Sequence, residues 1–447
     1  MELFKKSFSQ NKIYGLTISI LLLSSSILAD QIRSVEESNN WLKLVEHAPV
    51  ELPARVDKLD DLIRISLSNN SQLKIAYSEW KMRQEEVGTV VKLPDPSLTM
   101  GYYLEPVETA EGPQKLKLSI GQTLPWLSKT RAKTQQREAV ADQVYELLSD
   151  THLRIIQEVS TLWAEAAYLK QAIRLNNEKL NLAHDLEVVL TNRYKSGTVS
   201  HKQFTEAQTQ TLEIADQEEH LNDKLFRIKV RLGTLLDLNG PVPSTFLPVM
   251  GIESYSSEQK NLIPSLHPRL ARVDKMDEQV NARLRLARAE LMPDIRLGVD
   301  YILTNKKVVN GAEIAGSGSD PLIASIGLSL PLWNWSKKRS AIQASQWQSK
   351  QIEALREKER LEIDQQKQLA SSRLLEKERR FALLEDELIP RAEEIVNVME
   401  QGYVSQKVDI DSLTTAKQHV LDLKLEAQET WRSVQGEKIN LAYLRGE

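Results

Sequence analysis

The sequence predicts a mainly α-helical chain with a minor membrane β component, built twice over from one helix-strand-strand-helix unit. Three observations carry this. The phrase "SIGQTLPWLSKTRAK" at 119–133 returns as "SIGLSLPLWNWSKKRSA" at 325–341. From Ser128 to Lys195 there is neither proline nor glycine, only helix-forming residues rich in Leu, Ala, Glu, Gln and Lys. Four short segments alternate apolar with small or polar residues, the period of a strand with two unlike faces.

Composition narrows the function classes. The 447 residues carry a net charge of -4, so no bulk basic signal points to nucleic acid. Aromatics at 6% and 17 glycines are lean for a large all-β protein and suit long helices. Cysteine is absent, which excludes disulfides, thiolate metal sites, a cysteine nucleophile and an N-terminal lipidated cysteine. Lys5, Lys6 and Lys12, the apolar run "GLTISILLLSSSILA" and Ile27-Leu28-Ala29 have the layout of an export signal, so residues 1–29 are expected to be removed. No later stretch is apolar enough for a spanning helix.

The duplication runs through the chain. "LPDPSLTMGYY" (93–103) pairs with "MPDIRLGVDYI" (292–302), and "RYKSGTVSHKQFTEAQ" (193–208) with "GYVSQKVDIDSLTTAK" (402–417), each pair about 200 residues apart and in the same order. The first repeat is expected over 30–236 and the second over 260–447. The Gly/Pro/Ser-richer segment 237–259 reads as a linker.

Within the repeats, the helix expected over 128–195 would be on the order of 100 Å long, too long for a globular core, so it should lie along other helices as a coiled coil. A second run from Ser336 to about Gln401 should kink or restart at Pro390. Return helices are expected over Ser200–Leu236 and Ile410–Leu444. Gly197 and Gly402 should break the two helical hairpins, 128–236 and 336–444.

The strands fall in two hairpins, about 96–125 and 294–332. Leu98, Met100, Tyr102 and Leu104 alternate with Ser97, Thr99, Gly101 and Tyr103, and the other three segments repeat the pattern over about ten residues, the length a tilted strand needs to cross a bilayer. The connecting loops, "EPVETAEGP" and "NKKVVNGAEIAGSGSD", are polar. Trp126, Trp333 and Trp335 stand at strand ends, where an interfacial belt would place them. Lys129, Arg131, Lys337, Lys338 and Arg339 crowd the starts of the long helices, where the helix dipole disfavours cations. Lipid phosphates would attract them there, with Ser128 and Ser336 as helix caps. Four strands cannot close a barrel and lipid tolerates no open edge, so copies must combine; three copies would give twelve strands and a conduit.

Together these residues resemble the TolC-like outer membrane factors, the outer membrane efflux protein family. The marks are the duplicated unit, the Pro-Asp before each hairpin, the Leu-Pro at strand exit, and Arg193, Tyr194, Gly197 and Ser200 at the helical turn. The wording of the first hairpin is most similar to the heavy-metal efflux branch, related to CusC and CzcC. The resemblance implies a homotrimer: a twelve-stranded outer-membrane β-barrel, four strands per chain, continued by a long periplasmic α-helical barrel. Its partners would be a periplasmic adaptor (membrane fusion) protein, an inner-membrane pump of the resistance-nodulation-division type, and outer-membrane lipid. Metal ions are the suggested cargo, with no cofactor and no catalysis. Arg193, Tyr194, Gly197, Ser200, Gly402, Tyr403 and Ser405 become candidate adaptor contacts. Without cysteine, the chain lacks the lipid anchor of some metal-branch relatives.

Asp409 and Asp411 follow the second turn. Carboxylates ringed around a pore can hold cations, so one of them is expected to line a constriction; capping the returning helix is the equal alternative for either. The seven histidines are scattered without ligand spacing, and there is no phosphate loop, G-x-S-x-G or triad candidate. A periplasmic adaptor, a coiled-coil scaffold and a type I secretion conduit are the competing readings. The first two leave the long alternating strands unexplained.

Overall fold

A computed structural model describes residues 40–46, 50–248, 266–330 and 335–447. The expected export signal, Trp333 and the second half of the expected linker lie outside the described residues. In chain order the helices are α1 (Asn40–Glu46), α2 (Leu59–Asn69), α3 (Ser71–Val91), α4 (Leu127–Lys195), α5 (His201–Leu235), α6 (Pro268–Ala289), α7 (Trp335–Leu383), α8 (Ile389–Val404) and α9 (Ile410–Arg445). The strands are β1 (Ser97–Thr109), β2 (Gly112–Leu124), β3 (Asp294–Thr304), the two-residue β4 (Val308–Val309) and β5 (Ala312–Glu313), and β6 (Leu322–Ser329).

Helix α4 is the spine. Its 69 residues extend about 100 Å, and α3, α5, α6 and α9 all pack along it. The reason lies in its sequence. Ile155, Val159, Leu162, Ala166 and Leu169 are buried at alternating steps of four and three, the spacing of knobs-into-holes packing. They meet Leu62, Ile65, Leu73 and Trp80 from α2 and α3, and Leu221, Ile228 and Leu232 from α5. Asn70 locks the junction: it caps α3 by accepting from the Leu73 N–H, and its buried amide donates to the Leu235 carbonyl at the end of α5.

The segment after α5 is not a loose linker where it is described. Val242, Phe246 and Leu247 are buried in the same core, and the Val56 N–H donates to the Thr245 carbonyl. The prolines and glycine beside them conceal such a packed stretch from a composition reading.

The four long strands form one antiparallel sheet in the order β1-β2-β3-β6, so the two repeats join through β2 and β3 while β1 and β6 are edges. The hairpins share one register. Ser97 faces Gly121 and Tyr102 faces Leu116 in the first; Arg296 faces Gly327 and Tyr301 faces Leu322, the equivalent residues, in the second. Strand β1 is longer than its alternating pattern, which ends at Glu105: it continues to Thr109, passing an irregular register between Tyr102 and Val107. Pro106 sits in that irregular stretch on an edge strand, where its missing N–H costs no ladder bond.

The second long helix runs without a break from Trp335 to Val404, but one π-helical turn, Leu384–Leu388, separates α7 from α8. Pro390 follows it, and the wide turn absorbs the lost hydrogen bond that a proline imposes. Leu384 and Ile389 are buried there against Ala427 of α9.

Two titratable groups on α4 couple the helices to pH. His152 stacks on Trp41 of α1 with ring centroids 4.2 Å apart, and burial lowers its pKa to about 4, so it packs neutral. Glu146 lies near Asp142 of the same helix and Asp274 and Lys275 of α6. Burial raises its pKa to about 7, with Lys275 opposing and the two carboxylates adding to the rise. An acid raised in the fold holds its proton where the unfolded chain has lost it, so the contribution of Glu146 to stability is greatest below the unfolded value of 4.5 and is lost as pH climbs toward 7. His152 acts in the opposite sense, its lowered pKa making stability rise with pH between about 4 and 6.5. Glu146→Gln should therefore make the melting temperature, measured by circular dichroism at the helix band, climb more steeply with pH over that window than in the native chain.

Candidate functional site

The sheet has two chemically opposite faces. On one, the rows Leu98, Ile120, Val299, Ala324 and Met100, Leu118, Tyr301, Leu322 run straight across the four strands. Large side chains there stand open: Leu98 is 73% exposed, Met100 70% and Ile326 79%, values a soluble sheet would bury. The other face carries Ser97, Thr99, Lys117, Ser119, Arg296, Asp300 and Ser325, with Lys117 paired to Asp300 at 3.3 Å across β2 and β3. No helix covers the apolar face, and no helix among the described residues is long and apolar enough to cross a membrane. An apolar exterior opposite a wet interior is the pattern of a barrel wall.

At the corner where β2 gives way to α4, Trp126 is 40% exposed and the helix begins at Leu127. Ser128 therefore lies inside the first turn and does not cap it; Trp126 is the cap residue and makes no side-chain cap bond. Ser336 likewise lies inside α7, which begins at Trp335. Lys129 is answered within the chain rather than by lipid alone. Its ammonium donates to Asp294 Oδ1 at 2.7 Å, and the same carboxylate accepts from the Trp126 N–H at 3.2 Å. Asp294 belongs to the Pro-Asp that precedes β3. It thus supplies the negative charge that the start of α4 wants and removes the conflict of a lysine near a positive helix end. Lys338 donates to the Glu290 carbonyl at the end of α6, while Arg131, Lys337 and Arg339 are exposed.

At the far end of the helices stand two turns. In the first, Ser196 is the last cap, Gly197 takes φ 74°, and the Thr198 and Gly197 N–H groups donate back to the Arg193 and Tyr194 carbonyls. This double bond pattern is the Schellman closure. Ser200 then caps α5 in a reciprocal box with Gln203. Tyr194 stacks on Phe204 with centroids 5.0 Å apart.

The second turn is the same closure from different residues. Lys407 and Gln406 donate to the Gly402 and Tyr403 carbonyls, and the left-handed residue is Gln406 at φ 60°. Gly402 is therefore not the break that the sequence suggested. It lies inside α8, where a Cβ would come within 2.5 Å of Val408 Cγ2; glycine there is needed for close approach. Ser405 donates to the Gln401 and Gly402 carbonyls, and Tyr403 is 39% exposed.

The turns meet. Arg193 Nη1 donates to Asp409 Oδ1 at 2.8 Å, joining the first hairpin to the second, and Val199 and Ile410 pack on the buried Leu186, Leu190 and Ala207. Asp409 occupies the cap position of α9 but makes no cap bond; the Arg193 guanidinium holds its carboxyl below the usual range. Asp411, in the first turn of α9, is exposed. Among the described residues no cluster of His, Asp or Glu gathers in a form that could hold a metal ion.

The second repeat resembles known proteins. The profile of the outer membrane efflux protein family matches residues 263–447, the second repeat, of which the first is the internal copy. Over those residues the chain is similar to that family. That family is described as outer membrane efflux proteins. Protein CyaE of Bordetella pertussis is 24% identical over 331 residues, covering 69% of this chain and 68% of that protein. The fold is that of solved channels. A membrane protein from Pseudomonas aeruginosa superposes with TM-score 0.70 at 14% identity over 88% of this chain and 91% of its own. CusC superposes with TM-score 0.67 at 14% identity over 89% and 95%.

Two structural residues escaped the sequence reading. Asp294 was visible only as part of a repeated Pro-Asp phrase, and its charge complementarity with Lys129 appears only when the repeats meet. Gln406 had no signal, since glutamine is not a turn marker. For the helical tip this gives a paired expectation. Gln406→Gly should raise tip stability by about 1 kcal/mol by removing the left-handed penalty. Gly402→Ala should cost on the order of 1 kcal/mol by forcing Val408 aside. Hydrogen exchange of the turn amides would show slower and faster opening respectively.

Proposed function

We propose that the chain is the channel subunit of a tripartite efflux system, a homotrimer that passively conducts small toxic compounds, heavy-metal cations foremost, out of the cell. The observation that carries this reading is the open-edged sheet with one fully exposed apolar face. Such a sheet is stable in lipid only as part of a closed wall, and three copies of four strands supply twelve. The metal cargo rests on the likeness of the first hairpin to the CusC and CzcC branch.

The periplasmic tip is the docking end for an adaptor protein, which links the channel to an inner-membrane pump of the resistance-nodulation-division type. Arg193, Tyr194, Gly197, Ser200, Gly402, Tyr403 and Ser405 form the contact set, with Tyr194 and Tyr403 offering exposed aromatic surface. Arg131 and Arg339 meet lipid phosphates at the periplasmic edge of the bilayer, beside the tryptophan belt of Trp126, Trp333 and Trp335.

Asp409 and Asp411 divide the tip roles between them. Asp409 ties the second hairpin to the first through Arg193, and Asp411, whose carboxylate makes no ion pair among the described residues, faces the constriction. Replacing Asp411 by alanine should weaken cation selectivity, and Asp409→Ala should raise single-channel conductance in planar bilayers by loosening the tip. Conductance and selectivity unchanged in both variants would remove the constriction from these residues. For the function itself, deletion of the gene should sensitise cells to the exported compound. Sensitivity to copper, silver or zinc salts but not to dyes supports the metal cargo, and the reverse pattern refutes it.

A further inference from the structure

We propose that Asp95 of one copy pairs with Lys337 of the next, so that the Pro-Asp phrase of each repeat pins the helix start of the preceding repeat all the way around the ring. This rests on the trimer of the proposed function and assigns the residues of its seam.

Both hairpins have the same register under one alignment, in which β1 residues match β3 residues 199 positions later and β2 residues match β6 residues 206 later: Ser97 facing Gly121 becomes Arg296 facing Gly327. The junction between repeats, β2 to β3, is thus a template for the junction between copies, β6 to β1. Ile120 faces Val299 and Gln122 faces Leu297 in the template. The equivalent pairs across two copies are Ile326 with Met100 and Leu328 with Leu98. These place apolar side chains on the same exposed face and satisfy both sheet edges with ladder bonds.

The template also has a charged anchor, the pair of Asp294 with Lys129 at the start of α4. Its equivalents are Asp95, in the Pro-Asp before β1, and Lys337, in the Ser-Lys at the start of α7. Both are exposed and neither has an ion-pair partner among the described residues, as expected of two halves held on different copies. Other pairs between the repeats do not transfer. Arg193 and Asp409 become Gly402 and Ser200, Lys117 and Asp300 become Ile323 and Gly101, Lys275 and Asp142 become Ser78 and Lys350, and Lys179 of the pair with Asp422 falls at Glu387 or Leu388, neither of them basic. Retention of both charges at the corner alone marks it as the contact that every junction in the ring uses.

The full-length chain has no cysteine, so engineered pairs report without background. Leu98→Cys with Leu328→Cys should give, on oxidation in outer-membrane fractions, a covalent species of three times the monomer mass. Leu98→Cys with Ile326→Cys, two residues out of register, should give little. Asp95→Lys or Lys337→Asp alone should lower the detergent-resistant oligomer roughly tenfold, and combining them should restore it, because the swapped pair has the same attraction. Cross-linking of Leu98 to Leu328 with no recovery in the double swap overturns the Asp95–Lys337 pairing but leaves the channel reading standing. Stronger cross-linking in the shifted pair overturns the register. An unmodified chain that stays monomeric in the outer membrane overturns both the pairing and the trimer.

Discussion

Lipid offers no hydrogen bonds, and that single fact governs this molecule. Every backbone N–H and C=O inside the bilayer must find a partner in protein, so a four-stranded sheet with free β1 and β6 edges is an incomplete object. Other features follow from it. The apolar residues point away from the polar face because the partner outside is hydrocarbon. The chain can repeat itself because a closed wall needs identical joints. The long helices begin where the strands leave the membrane, since a continuous backbone needs an internally satisfied structure on both sides of that boundary.

The duplication, the membrane strands and the long helices were legible because each rests on a period: about 200 residues for the repeat, two for a strand, 3.6 for a helix. What was hidden depended on contacts between distant residues. Asp294 finds Lys129 across 165 positions, and no local pattern announces it. The packing of Val242, Phe246 and Leu247 was hidden for the same reason, because proline and glycine nearby look alike in a packed strap and a free linker. The cap expected at Ser128 was misplaced by two residues and Ser336 lies inside its helix, an ordinary error where a helix starts close behind a strand.

The two helical turns show how a fold outlasts its residues. Both close with the same pair of backbone bonds, yet one uses glycine in the left-handed position and the other glutamine. The second compensates elsewhere: Gly402 lets Val408 approach closely, and burial of Ile410 beside Val199 holds the turn in place. Reading glycine as the mark of a turn succeeds in the first case and misleads in the second, because there the glycine serves packing between helices and not the backbone angle.

The single π turn at Leu384–Leu388 has a bearing on the history of the chain. Ser128 and Ser336, near the starts of the two long helices, stand 208 apart, whereas Tyr194 and Tyr403, near their ends, stand 209 apart. One extra residue in a straight helix would turn everything beyond it by about 100°, swinging the tip away from its neighbours. A π turn accommodates one added residue with the helix axis and facing both preserved. The second helix therefore gained length without losing phase, and the copy could diverge while the tip kept its place.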